Sequence, residues 1–268
     1  MKAHAERKHS KFSASGSERW FNCPGSVALS EGMPSKDSIW SIEGTKAHET
    51  LEKILRHCAA KGQFLGAKIP SHIMTVPGQT KDMLHYGNHA AGVILGNHWK
   101  TPGSELLVET RISLDFIHPA AFGTFDGAVV DHFGTLHVYD YKYGAGHAVS
   151  PGTPKDPNLQ MAFYGLGLAY RYDWNFKRVR LWIIQPRIRG YTGPTFVEMT
   201  IADLRGVWAP TFKKAVRRVE REPKRMLRGH GVIGVTPRAF ARSRDKQRPN
   251  PCGTPLPTQK TNRSKDNG

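Results

Sequence analysis

Cysteine is scarce in this chain. Cys23, Cys58 and Cys252 are the three cysteines among 268 residues. Their odd number and wide spacing, with no C-x-x-C pair and no Cys/His zinc pattern, exclude a disulfide framework and fit a reducing compartment. Long apolar runs are missing too. No stretch reaches the roughly 18 consecutive apolar residues of a membrane span, and Met1-Lys2-Ala3-His4-Ala5-Glu6-Arg7-Lys8 lacks the apolar centre of a secretory signal. A cytoplasmic protein without a membrane partner is expected. Acidic residues are few, 22 against 39 Lys and Arg, for a net charge of +17. From Arg205 to Gly268 there are 17 basic and 4 acidic residues, a net +13, which leaves +4 for the first 204. Such a C-terminal concentration selects polyanions as partners, with a solvated basic tail as the bland alternative.

The length suffices for one sizeable core without a metal or disulfide staple. Residues 1–11 are polar and read as a flexible N-terminus. Ser13 to Asn22 can form a short helix capped by Ser15 or Ser17, anchored by Trp20 and Phe21 and stopped by Cys23-Pro24-Gly25. From Ser41, the apolar residues Ala47, Leu51, Ile54, Leu55 and Cys58 recur at helical spacing up to Gly62, with His48 beside the stripe. A second helix is expected over Lys81 to His98. Strand patterns then cover Glu105 to Leu114, Thr124 to His132 and Thr135 to Tyr141, the last two joined by a tight turn at Phe133-Gly134, as in an antiparallel meander. A Gly/Pro/Ser-rich loop, 144–157, leads to a helix over Asn158 to Tyr172 and a buried-looking strand over Val179 to Ile184. Thr195 to Met199 can add an edge strand. A basic helical region follows from Ala202, interrupted at Pro210, with Leu204, Trp208, Phe212, Ala215 and Val219 on its apolar side and Lys213, Lys214, Arg217, Arg218 and Arg221 mostly exposed. Residues 229–268 hold few large apolar side chains and read as a largely disordered basic tail. No internal repeat is visible.

The chemistry concentrates in Gly123-Thr124-Phe125-Asp126 and Asp140-Tyr141-Lys142. Acidic-x-Lys triplets are cheap; the chain also has Glu6-Arg7-Lys8 and Glu222-Pro223-Lys224. Only Asp140-Tyr141-Lys142 ends a strand. Alternation puts Leu136, Val138, Asp140 and Lys142 on one face, with the last two at its rim, and Asp126 reaches the same edge if the hairpin pairs in register. Two carboxylates and an amine there can hold a divalent cation against a phosphodiester; a surface ion pair and a turn cap are the plain alternative. Gln160 and Tyr164, four apart, open the following helix on one face. His48 is a neutral-imidazole ligand or phosphate contact from the other side. Glu43, Glu49 and Glu109 read as solvated, with an added acidic ligand as the alternative.

Taken together, His48, Asp126, Asp140-x-Lys142 and Gln160-x-x-x-Tyr164 resemble the PD-(D/E)XK nuclease superfamily, in its RecB-like branch. Ser13-Ala14-Ser15, Trp20, Cys23-Pro24-Gly25-Ser26 and Glu43-Gly44-Thr45-Lys46-Ala47-His48-Glu49 are similar to phage exonuclease-type proteins of that branch. The likeness covers roughly residues 12–200, within a nuclease domain read as 12–228. It implies an α/β (α+β) fold with a restriction-endonuclease-like core, ordered helix, three strands, helix, strand, its central mixed sheet flanked by helices. Phe125 stands where the superfamily's name has proline. Three scattered cysteines cannot supply the four that hold an iron-sulfur cluster in some relatives, so no cluster is expected.

The resemblance implies a metal-dependent deoxyribonuclease, an exonuclease of phage recombination or DNA processing in the bacterial host cytoplasm. His48, Asp126, Asp140 and the Tyr141 carbonyl would bind Mg²⁺ or Mn²⁺, Lys142 would orient the attacking water, and Gln160 and Tyr164 would position strand or water. DNA is the implied substrate, and a single-strand-binding or annealing protein and an oligomer are implied companions. Lys213, Lys214, Arg217, Arg218 and Arg221 would contact phosphates without reading bases. A structure-specific endonuclease on the same fold and a non-catalytic basic nucleic-acid-binding protein are the alternatives.

Overall fold

The computed structural model describes residues 10–31, 38–62 and 76–223. The expectations for residues 1–9 and for the tail from 229 lie outside the described residues. Two short helices, α1 (Ser17–Asn22) and α2 (Ser26–Ser30), precede the long α3 (Ile39–Lys61) and α4 (Lys81–Trp99). Strands β1 (Glu105–Ser113), β2 (Phe122–Val130) and β3 (Thr135–Tyr141) follow, then a two-residue pair, β4 (Gly152–Thr153) and β5 (Asp156–Pro157). Helix α5 (Leu159–Arg171), β6 (Arg178–Ile184) and β7 (Thr195–Thr200) complete the sheet. The chain ends its described part in α6 (Ile201–Asp203), a π-turn at Leu204–Trp208 and α7 (Ala209–Arg221).

The architecture is a mixed α/β sandwich around a five-stranded sheet of order β1-β2-β3-β6-β7. β1, β2 and β3 form the expected antiparallel meander, β6 joins β3 in parallel through the α5 crossover, and β7 returns antiparallel at the edge. This is a restriction-endonuclease-like core. Alternation along β3 fills both faces. Leu136 and Val138 pack beneath α5 with Phe163, Leu166 and Phe212, whereas Tyr139 and Tyr141 pack beneath α3 and α4 with Leu51, Leu55 and Ile94.

Helix boundaries follow local chemistry. Ser38 caps α3 by accepting from Ser41 N–H, and Gly62 closes it in the left-handed region at φ 65°. Thr80 caps α4 and Asn158 caps α5. The expected Ser15 or Ser17 cap of the first helix is corrected: Gly16 is the N-cap, its N–H donating to Ser13 Oγ, and Ser17 is buried in the first turn. The pause expected at Pro210 is the π-turn before it; Pro210 then sits in the first turn of α7, where no N–H is required. Sequence patterning misses α2, β4 and β5, each too short to show a period.

α5 lies close on the sheet because Gly167 faces β1. A Cβ there would press on Ile112 Cδ1 and stand 3.0 Å from Ile112 Cβ. Replacing a helical glycine by alanine ordinarily stabilises by up to about 1 kcal/mol. Here overpacking should reverse the sign, and Gly167→Ala is expected to lose about 1–3 kcal/mol in urea unfolding. Unchanged or raised stability would contradict the contact.

Candidate functional site

The site forms where the meander stops pairing regularly. The β2–β3 ladder ends with Gly127 opposite Tyr139, and beyond it the N–H of Tyr141, two residues along β3, donates to the side chain of Asp126, the residue before Gly127 on β2, at 2.7 Å to Oδ2. On the other side of β2, Val108 pairs with Gly127 and Thr110 with Phe125, and Glu109 between them adopts φ 45°. A left-handed glutamate costs roughly 1–2 kcal/mol of local strain. At this level the core-facing residues also change parity, from Leu107 to Ile112 on β1 and from Phe125 to Ala128 on β2. The kink brings the side chains of Glu109 and Asp126 to the sheet's edge together.

α3 and α5 supply the rest from opposite faces. His48 Nδ1 lies 2.7 Å from Asp126 Oδ1, its ring edge-on to Tyr141 at 5.5 Å. Ligand atoms of His48, Glu109 and Asp126 all fall within 4.8 Å of one another, a spacing that can hold a metal ion. From α5, Gln160 ties a second group together. Its Oε1 accepts from Lys142 Nζ at 2.8 Å, and its Nε2 donates to Asp140 Oδ1 and to the Tyr164 hydroxyl, both at 3.1 Å. Lys142 Nζ is also 2.8 Å from Asp140 Oδ2. Both groups line one open cleft of about 380 Å³, whose other walls include Ser13, Ser15, Ser41, Gly44 and Thr124.

Electrostatics couple the two groups. Burial opposes charge on His48, but Asp126, with Asp140 and Glu109 behind it, outweighs burial and pushes the imidazole up to about 9. Burial would raise Asp126, yet His48, the Tyr141 N–H and Lys142 hold it below the usual carboxylate range. Asp140 moves the other way: burial, with Asp126 nearby, raises it more than Lys142 lowers it. Lys142 is buried, which disfavours its charge, but Asp140 keeps it raised. Burial also raises the Tyr164 hydroxyl well above its ordinary value. The facing acids thus favour the protonated form of the His48 imidazole. A cation held by the same atoms would have to displace that proton.

The N-terminal wall is fixed by aromatic packing. Trp20 Nε1 donates to Ser13 O at 2.9 Å, and its ring packs edge-on against Phe12 and Phe212. The resulting loop lies so near β2 that a Cβ on Gly123 would stand 2.8 Å from Ala14 Cβ and 3.2 Å from Tyr164 Cε1. The glycine of Gly123-Thr124-Phe125-Asp126 is thus a close-approach position.

A sequence profile described as "Protein of unknown function (DUF2800)" matches residues 9–227. The chain belongs to the DUF2800 family. A crystal structure of a candidate exonuclease from Eubacterium rectale is similar at a TM-score of 0.44 and 12% identity, covering 93% of this chain and 96% of that one. A likeness of that size carries neither topology nor activity from one chain to the other.

In this DUF2800 member the structure gathers His48, Asp126, Asp140, Lys142, Gln160 and Tyr164 at one cleft. Asp140 is not in the His48–Glu109–Asp126 cluster; its partners are Lys142 and Gln160. Tyr141 contributes its N–H to the site, while its ring is buried among the α3/α4 core. Of the glutamates read as solvated, Glu43 pairs with Arg187 at 3.2 Å and Glu49 with Lys53 at 3.5 Å, whereas Glu109 joins the cleft. The sequence offers Glu109 as an acidic ligand only in the alternative reading, because its place depends on a backbone kink. On α7, Lys213, Lys214, Arg217 and Arg221 are exposed as expected. Arg218 is corrected: it is half-buried, and its guanidinium donates to the Phe21 carbonyl, pinning α7 to α1.

The Asp126 carboxylate serves the fold as well as the site. Asp126→Asn keeps an oxygen for the buried Tyr141 N–H, and Asp126→Ala removes it. The alanine variant is expected to be about 1–3 kcal/mol less stable than the asparagine variant in urea unfolding. Equal stabilities would contradict the bond's structural role.

Proposed function

We propose that this protein is a metal-dependent nuclease that hydrolyses DNA phosphodiester bonds in the cleft between α3 and α5. One observation carries the proposal: the His48–Glu109–Asp126 cluster, whose ligand atoms are spaced to hold a metal ion, adjoins an ammonium, Lys142, clamped by Asp140 and Gln160 in the same opening. One imidazole and two carboxylates suit Mg²⁺ or Mn²⁺. Bound there, the ion would supply Lewis acidity toward a phosphate oxygen and acidify a water.

The chain's own residues do the positioning. Asp126 is oriented by the Tyr141 N–H, and the left-handed backbone at Glu109 brings that residue into the same cleft. Lys142 offers a compact positive charge to a phosphate whose charge is growing, and stays protonated because Asp140 faces it. Gln160 fixes both members of that pair and the Tyr164 hydroxyl, which burial keeps un-ionised and able to donate to a ligand oxygen. Lys213, Lys214, Arg217 and Arg221 on α7 add phosphate contacts that carry no base preference. Action from a DNA end, in phage recombination beside a single-strand-binding or annealing protein, is the finer form of this reading.

Release of acid-soluble nucleotides from linear duplex DNA with Mg²⁺ or Mn²⁺ tests the proposal. Lys142→Ala and Asp126→Asn should each lower the rate by at least about 100-fold. Parental rates in both variants would remove the site assignment. A covalently closed circle should survive; its cutting would favour an endonuclease on the same cleft.

A further inference from the structure

Helix α4 carries two histidines that the cleft does not use. His85 and His89 are both exposed, and they are the one pair among the chain's 13 histidines that stands four residues apart. On a helix that spacing puts both imidazoles on one face, with Cβ atoms about 5–6 Å apart. Rings so placed can close on a single ion, at about 2.0–2.1 Å from each nitrogen.

The surroundings suit ligands better than a solvated polar face. His89 Nε2 lies 2.9 Å from the Tyr191 hydroxyl, and its ring stands edge-on to that tyrosine at 5.4 Å. A ligating imidazole needs its second nitrogen held, so that ring orientation and tautomer are fixed, and Tyr191 does this for His89. The His85 ring stands edge-on to Tyr86 at 4.9 Å. Partial burial pushes His89 below the ordinary imidazole range, and His85 beside it pushes it further down, which favours the neutral, ligating form. His48, His118 and His137 face carboxylates instead.

We propose that His85 and His89 form a second metal site, selective for Zn²⁺, Ni²⁺ or Cu²⁺, with the Tyr191 hydroxyl holding the His89 ring. Imidazole nitrogens prefer these borderline ions, whereas the carboxylates of the cleft suit Mg²⁺ and Mn²⁺. The two sites are thus separated by ligand chemistry as well as by place. Tyr191 belongs to the 185–194 loop, whose Arg187 pairs with Glu43 of α3 at 3.2 Å. An ion on α4 would reinforce the tie between that helix and the loop. This site goes beyond the nuclease reading and does not rest on it.

The test is Zn²⁺ binding to the full chain in excess Mg²⁺, measured by competition with a chromophoric chelator. His85→Ala and His89→Ala should each weaken Zn²⁺ at least about tenfold, and Tyr191→Phe, which frees the ring, should weaken it less. With Cu²⁺ as probe, the electron paramagnetic resonance spectrum should show two ring nitrogens in the parent and one in either single variant. Zn²⁺ should raise the thermal midpoint of the parent more than that of the His85→Ala/His89→Ala protein. Both side chains are exposed, so far-ultraviolet circular dichroism of the variants should match the parent. Parental Zn²⁺ affinity in both single variants would overturn the site. So would a loss of Zn²⁺ binding in His48→Ala with none in the α4 variants, which would move the ion to the cleft. Nuclease activity enters none of these readouts, so this site can fail while the nuclease reading stands, and the reverse.

Discussion

The carboxylate of Asp126 is the joint on which the site depends. Its Oδ2 takes the Tyr141 N–H at the point where the β2–β3 ladder ends, and its Oδ1 takes the His48 imidazole. One side chain thus closes the end of a hairpin and links the sheet to α3. Two strands can part at their edge without leaving a buried N–H unpaired only because a side-chain oxygen stands in for a backbone carbonyl. Beside this joint, the second acid, Asp140, meets the ammonium of Lys142 and the amide of Gln160.

Much of this was legible in the sequence because it follows from simple periods. The α3 stripe, the alternation of β3 and the capped start of α5 each set a side chain's face, so His48, Asp140, Lys142, Gln160 and Tyr164 can be placed near one edge by counting residues. Counting fails where the backbone leaves its period. Glu109 joins the cleft through a left-handed residue, which no propensity assigns to glutamate, and both flanking strands shift parity at that level. Arg218 looks like its basic neighbours in an amphipathic pattern, and only the approach of α1 turns it into a half-buried tie to Phe21. Helix α2 and the β4–β5 pair are too short for any pattern to reveal.

Glycines set the spacing of the layers. Gly167 lets α5 settle against Ile112, and Gly123 lets the Ser13–Ser15 loop and Tyr164 meet over β2. With those contacts fixed, Gln160 reaches Asp140 and Lys142 without strain, and burial then sets the charges. His48 rises, Asp126 falls and Asp140 rises, so the cleft holds its positive charge on His48 and Lys142 at opposite ends of the acids. That division separates the His48–Glu109–Asp126 cluster, whose spacing can hold a metal ion, from an ammonium fixed by Asp140 and Gln160.

The claim beneath this account is that His48, Glu109 and Asp126 close on one divalent ion beside Lys142. Anomalous diffraction from crystals of the protein grown with Mn²⁺ tests it directly. The account predicts a peak bonded to His48, Glu109 and Asp126, with Lys142 still paired to Asp140. A peak bonded to Asp140 with Glu109 turned away, or no peak in the cleft at a saturating Mn²⁺ concentration, would contradict it.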